Sequence, residues 1–335
     1  MDNSKDLYLD NSLISSFVGN PLFNDIYLEH NSLPEIDFNE INTESEIFGK
    51  KIAFPLIINA MVGGSERGFD VNQTLFSIAK EFNLPFSVGA QDGNIYNEQS
   101  KLYIDEVEHG QSYHGVVLSN LSVKSDLETV KKAMEVINSD GISLYLNSAQ
   151  EIISSEGKPD FKNILDNIRN LTKEYSSKII IKEKCLGMSK QTVQSLVDAG
   201  VKYIDISGYG GTNFIEMENL RNYHEDFSDL YDWGIPTAKS IINARSSSDT
   251  VKIIASGGIK TGLDVVKSLV IGADYVGISG ELLKYLLHGG YNQAKKYLED
   301  LIYKTKVVMF LLGVKNINEL KNVEYKITGR LREIL

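Results

Sequence analysis

A single cysteine, Cys185, among 335 residues leaves no partner for an intrachain disulfide and no set of thiolates for a metal. Cations are scarce as well: 34 lysines and arginines face 45 aspartates and glutamates, a formal charge of -11. Such a surface repels phosphate backbones and anionic lipid, which argues against a nucleic-acid-binding or membrane-surface protein. A small phosphorylated ligand in a locally basic pocket stays open. No apolar run approaches the ~18 residues of a membrane span. The opening MDNSKDLYLDNSLISSF lacks the basic stretch and apolar core of a secretory signal, so a cytoplasmic protein is expected. The five histidines, His30, His109, His114, His224 and His288, form no His-x-His or His-x-x-x-His pair, and a zinc site is not expected.

What is present is ordinary globular material, 42% apolar and 24% charged, which excludes disorder, collagen and coiled coil. A divisor of ~150 residues per domain suggests two domains, but α/β barrels run to ~250 residues as one unit and accept insertions. Eight short apolar runs follow one another: PLIIN (55–59), LPFSVG (84–89), GVVLSN (115–120), ISLYLN (142–147), KIIIKE (178–183), KYIDISG (202–208), VKIIASGG (251–258) and ADYVGIS (273–279). Their near-continuous Val, Ile and Leu content predicts strands buried on both faces of a parallel sheet. Between them, QTVQSLVDAG (191–200) and GLDVVKSLVIGA (262–273) carry helical spacing and end at glycine. Eight strand–helix units predict a (β/α)8 barrel over the whole of 1–335; a doubly wound open sheet is the alternative. Residues 1–50 read as an N-terminal extension, 209–250 as a loop or lid over the mouth, and 300–335 as a helical tail packed outside.

In such barrels ligands meet the C-terminal ends of the strands. Those positions here are small and polar, and suit a large planar ligand with a phosphate tail better than a hydrolytic triad. SGGIKTG (256–262) and GISGE (277–281) put bare glycine backbone and a helix N-terminus after the last two strands, and SGYGGT (207–212) adds a third glycine loop with the Thr212 hydroxyl. None is a Walker loop or a dinucleotide fingerprint. Lys182, ending the fifth strand, is read as the only basic residue that points into the mouth. A lysine there can stabilise a reduced flavin ring electrostatically. The alternative is a charged strand end in solvent.

HNSLPEI (30–36), INAMVGGSERG (58–68), NSAQE (147–151), IIKEKCLGMS (180–189), DISGYGGTNF (205–214), WGIPTA (233–238) and IIASGGIKTGLD (253–264) together resemble type 2 isopentenyl diphosphate isomerase, from about residue 4 to the end. The resemblance implies an FMN-binding (β/α)8 barrel that interconverts isopentenyl and dimethylallyl diphosphate with reduced flavin and Mg²⁺, without net redox change. NADPH is a candidate reductant, and a tetramer or octamer a candidate assembly. Matched positions assign Ala60 and Met61 to the isoalloxazine, Asn120 to its polar edge and Lys182 to its N1–C2 side. Ser207, Thr212, Gly257, Gly258, Gly277 and Ser279 go to the ribityl chain and phosphate. Gln150 would border the alkene and Glu151 would bind Mg²⁺. Val62 stands where the family usually has threonine.

The substrate side departs from the family. Its Arg-Lys-Asp/Glu-x-His signature becomes Ser4–Lys5–Asp6–Leu7–Tyr8, its Ser-Gln-Arg becomes Ala90–Gln91–Asp92, and its His-x-Asn-x-x-Gln-Glu becomes Tyr145 to Glu151 with Asn147 kept. Lys5, Tyr8, Gln91, Tyr145 and Asn147 are the substrate-side candidates. Each charge-assisted contact to a diphosphate contributes ~1.5–3 kcal/mol, so the missing arginine and histidines weaken binding by orders of magnitude. Lys5, Lys184 or Mg²⁺ on Glu151 are the candidates to compensate. Three readings follow: the isomerase, an FMN-dependent oxidoreductase acting on a less anionic substrate, and a non-catalytic flavin-binding subunit. His30, Glu216 and Glu218 read as structural, His224 as exposed, and Cys185 as a thiol without a matched histidine base.

Overall fold

Short runs of Val, Ile and Leu cannot bury two faces alone, and in this chain eight of them pair in parallel and close on themselves. The computed structural model describes residues 3–15, 19–62, 65–91, 115–221 and 225–335, with the side chains of residues 3–5, 8, 12 and 13 outside that set. The barrel strands are β1 (Leu56–Ile58), β2 (Phe86–Ser87), β3 (Val117–Ser122), β4 (Gly141–Tyr145), β5 (Ile179–Lys182), β6 (Tyr203–Asp205), β7 (Lys252–Ser256) and β8 (Tyr275–Ile278). β8 returns to β1 with Val276 opposite Leu56 and Ile278 opposite Ile58, which completes the circle. All eight runs read from the sequence are strands of this closed barrel.

Helices cover the outside of the barrel, and several of the described ones open on a residue whose side chain caps them. Ser65 caps Glu66–Phe82 through its hydroxyl to the Gly68 amide, Ser189 caps Lys190–Asp198, and Thr261 with Asp264 forms a capping box on Gly262–Val270. The helix after β8, Gly280–Leu311, is broken at Gly290, where φ is 68° and ψ is -166°. No described helix is long and apolar enough to cross a membrane.

The N-terminal extension closes the bottom of the barrel. Strands Ser45–Ile47 and Lys50–Ile52 form a hairpin that turns at Phe48 and Gly49, both at positive φ. Ile47 and Ile52 pack with Ile57, Val116, Leu118, Ile180, Ile254 and Tyr275 in a cluster separate from the main core. The hairpin is thus a hydrophobic plug at the end opposite the strand C-termini.

Two expected boundaries change. The segment 209–250 is not all loop: Thr237–Ser247 is the crossover helix between β6 and β7, with Ala238, Ile241 and Ala244 fully buried. Its mixed polar surface and the aromatic stretch before it obscured that spacing. The tail is not all helix either, because Tyr325–Ile327 pairs antiparallel with Ile26–Leu28 of the extension. A three-residue strand whose partner lies about 300 residues away leaves no periodicity to read.

Candidate active site

Strand ends deliver the polar groups. At the top of the barrel Asp205 (1% exposed) ends β6 and collects four donors. Asn59 Nδ2 reaches it at 2.9 Å, Ser256 Oγ at 2.5 Å, the Ser207 amide at 3.2 Å and Lys182 Nζ at 3.5 Å. Lys182 is itself 8% exposed. A buried ammonium persists only with such a partner, since desolvation costs several kcal/mol per ion. Asp205 was legible in principle: a carboxylate inside the apolar run KYIDIS demands a buried cation.

Above this pair opens a cavity of about 380 Å³, within the ~300–1,000 Å³ typical of small-molecule sites. It brings together Ala60, Met61, Asn120, Lys182, Ser207, Thr212, Gly257, Gly258, Gly277 and Ser279, together with Tyr145 and Gln150. One end is glycine backbone. Gly257 and Gly258 have φ of +101° and +79°, and a Cβ on them would meet Gly208 O at 2.0 Å and Gly210 O at 2.3 Å. The loops after β6 and β7 therefore stack backbone on backbone. Ser279, Gly280 and the start of the Gly280–Leu311 helix complete that end, with Lys260 and Lys284 beside it. Exposed amides, a helix N-terminus and two lysines suit a phosphate.

Lys182 is not alone in the mouth, contrary to the sequence reading. Lys184, two residues further along the chain, also lines the cavity. Its Nζ donates to Gln150 Oε1 at 2.8 Å and lies 4.8 Å from the ring centroids of both Tyr145 and Phe214. Gln150 in turn donates to Glu218, which pairs with Arg221. Gln150 is thereby held at both ends of its amide. Glu218 and Glu216, which accepts from Ser15, are ties within the wall of the site. The N-terminal helix Asn3–Ile14 reaches the same wall: Asn11 Nδ2 donates to Met217 O at 3.4 Å, and Asp10 pairs with Arg67.

Three candidates lie outside the cavity lining. Gln91 is buried, with its Nε2 on Ala133 O (3.2 Å) and its Oε1 accepting from the Asn120 amide (3.1 Å), so it braces Asn120 rather than facing a ligand. Asn147 sits at φ 55°, a left-handed conformation that asparagine tolerates, and leads into the short helix Ser148–Ile153. Glu151, in that helix, accepts from Lys124 Nζ and from the Lys158 amide, each at 2.9 Å. The side chains of Lys5 and Tyr8 lie outside the described residues, as do Asp92, His109, His114 and His224. His30 is exposed and bonded to Ser32.

Cys185 is 6% exposed, and burial, reinforced by the charge of Glu183, pushes its thiol up to about 12. Glu183 is also buried, and desolvation raises its carboxyl despite the amides of Lys184, Cys185 and Leu186 that donate to it.

A family profile described as FMN-dependent dehydrogenase matches residues 119–326. The isopentenyl-diphosphate delta-isomerase of Bacillus pumilus (strain SAFR-032) is 36% identical over 307 residues, covering 91% of this chain and 86% of its own. Those of Staphylococcus haemolyticus (strain JCSC1435) and Geobacillus sp. (strain WCH70) are each 32% identical, covering 92% and 96% of this chain and 88% and 92% of their own. The chain belongs to the type 2 isopentenyl-diphosphate delta-isomerase family. It is an FMN-dependent enzyme. Among solved structures, a mandelate oxidase with a monooxide FMN adduct superposes with a TM-score of 0.67 at 14% identity, covering 95% of this chain and 92% of that one. A lactate oxidase of Pediococcus acidilactici gives 0.67 at 15% identity, covering 98% and 88%. At such identities the likeness is one of fold. The residues present fit FMN: a glycine-backbone cradle at one end, and a buried lysine with Asn120 at the other.

Proposed function

We propose that the chain interconverts isopentenyl and dimethylallyl diphosphate, the reaction for which its relatives are named. The observation that carries this reading is one cavity that joins the phosphate cradle, the Lys182–Asp205 pair and a doubly held Gln150. Ala60 and Met61 would lie along the isoalloxazine, with Asn120 and Lys182 at its polar edge. Ser207, Thr212, Gly257, Gly258, Gly277 and Ser279 would take the ribityl chain and phosphate. When bound and reduced, with NADPH as a candidate reductant, FMN supplies acid–base chemistry at the alkene. Asp205 holds the Lys182 ammonium in place, so the positive charge is preorganised rather than solvent-borne. Gln150 offers a rigid polar edge, because its amide cannot turn without losing Glu218 or Lys184. Phe214, Tyr145 and Met217 keep water from an apolar chain. In the same reading Lys5 and Tyr8, whose side chains lie outside the described residues, are substrate-side candidates, and Gln91 and Asn147 hold the backbone that shapes the pocket. The whole chain acts as one barrel unit, cytoplasmic and self-assembled as a tetramer or octamer.

A second reading, an FMN-dependent oxidoreductase with a less anionic substrate, is favoured by Tyr145. Its ring and that of Phe214 flank Lys184, which makes this wall aromatic. The surroundings of Glu151 do not fit Mg²⁺: its Oε2 is engaged by Lys124 and the Lys158 amide. Among the described residues no group of three or more His, Cys, Asp or Glu is placed to hold a metal. The deciding experiment is anaerobic incubation of FMN-loaded protein with isopentenyl diphosphate and dithionite, with and without Mg²⁺, with the products identified by mass spectrometry. Dimethylallyl diphosphate is expected. Its absence, with flavin demonstrably bound and reduced, eliminates the isomerase and leaves the second reading.

A further inference from the structure

The loop that follows β3 carries a lysine whose surroundings are those of a cation site. Asn167 Nδ2 braces the loop from both sides of Lys124, donating to Val123 O at 2.9 Å and to Ser125 O at 3.0 Å. The Lys124 amide is itself bonded to Ser122 Oγ at 3.3 Å. From this fixed base the ammonium reaches Glu151 Oε2 at 2.9 Å, donates to Lys158 O, and lies 4.3 Å from the centroid of the Phe161 ring. A carboxylate, a carbonyl and an aromatic face therefore surround one positive charge, and the side chains of Lys124 and Glu151 are only about a quarter exposed, at 24% and 23%. The Lys158 amide closes on the same Oε2 at 2.9 Å, so the segment 154–158 folds back over the carboxylate.

We infer that the Lys124 ammonium occupies the position from which Glu151 would otherwise hold a divalent cation, so that the enzyme works without one. The chemistry of the donor set favours this. Mg²⁺ demands near-octahedral oxygen ligands at ~2.0–2.1 Å and gives up its waters reluctantly. A ring face offers it no ligand, whereas an ammonium gains from that face. A tethered ammonium also competes at an effective concentration on the order of millimolar or above.

The inference rests on the reading that Glu151 is the position at which this family would hold its divalent cation. The test reads metal binding rather than turnover, so its failure and the failure of the isomerase reading are distinguishable. FMN-loaded wild type, Lys124→Met, Lys124→Gln and Lys124→Met/Glu151→Gln are titrated with Mn²⁺, free ion being read by electron paramagnetic resonance. Melting temperatures are taken with 5 mM Mg²⁺ or with EDTA. Bound-flavin absorbance reports folding of each variant. Wild type is expected to leave Mn²⁺ free and to melt at the same temperature in Mg²⁺ and EDTA. Removing the ammonium is expected to create a site for one equivalent of Mn²⁺, tightened at least tenfold over wild type and lost again in the Glu151→Gln double variant. One equivalent bound by wild type and abolished by Glu151→Gln overturns the inference. So does failure of both folded Lys124 variants to bind Mn²⁺, because the Glu151 position would then not be a cation site. Should neither lysine variant fold, the wild-type titration decides alone.

Discussion

Asp205 is the residue on which the top of the barrel depends, and Asp205→Asn tests that directly. The aspartate and Lys182 side chains are 2% and 10% exposed, and their charged atoms are 3.5 Å apart. At an effective dielectric of ~20 the attraction over that distance is roughly 5 kcal/mol, set against a desolvation cost of several kcal/mol per ion. The pair is therefore near neutral as a pair, but removal of one member leaves a buried charge uncompensated, at about 3–5 kcal/mol. Lys182→Met should cost less, because Asp205 keeps Asn59, Ser256 and the Ser207 amide as donors. The double variant should then be more stable than Asp205→Asn alone. Urea unfolding of the FMN-free proteins at pH 7 measures the cycle, and FMN titration by fluorescence quenching measures the cofactor. Affinity should fall at least about tenfold in Asp205→Asn, since a charge-assisted contact contributes ~1.5–3 kcal/mol. A loss of stability below ~1 kcal/mol, or a double variant whose loss equals the sum of the singles, refutes the argument.

Other consequences can be checked independently. Gly257→Ala places a Cβ 2.0 Å from Gly208 O at a φ of +101°, and should yield protein purified without FMN and a melting temperature several degrees lower; stoichiometric yellow protein would contradict the stacked-loop cradle. With its thiol pushed up to about 12, Cys185 should resist a thiol reagent at pH 8 in native protein and release one equivalent on denaturation. Fast native labelling would show the site to be open. At the barrel bottom, burial raises the Asp274 carboxyl, but the Ile253 amide, Lys321 and Lys252 outweigh it and hold it below the usual range. Its contribution is thus complete above the unfolded value of ~3.9 and is lost as pH falls through the lower folded value. The stability gap between wild type and Asp274→Asn should be constant from pH 5 to 8 and should close only below about pH 4; a gap that shrinks near neutrality runs against this sign.

Much of the architecture was legible because the physics behind it is local. Runs such as KIIIKE and VKIIASGG can satisfy burial on both faces only as parallel strands, and glycines after the last three of them mark backbone that must approach something closely. The helix starts at Ser65, Ser189 and Thr261 likewise carry their capping chemistry in neighbouring residues. Pairings across long separations were not legible. Nothing near Tyr325–Ile327 announces Ile26–Leu28 as its partner, and nothing near Gln91 says that its amide is taken up by Ala133 and Asn120.

Alone, the sequence determined an acidic, nearly thiol-free (β/α)8 chain of a flavin-dependent family, with its phosphate loops intact and its expected diphosphate-binding cations altered. Those are properties of composition, periodicity and motif, and each is carried by residues close together along the chain. Only the tertiary structure decided which charges meet. It set Asp205 under Lys182, Lys184 between Tyr145 and Phe214, and Lys124 on Glu151. The energy of a charge depends on its burial and its nearest counter-charge, quantities fixed by three-dimensional distance rather than by position in the chain.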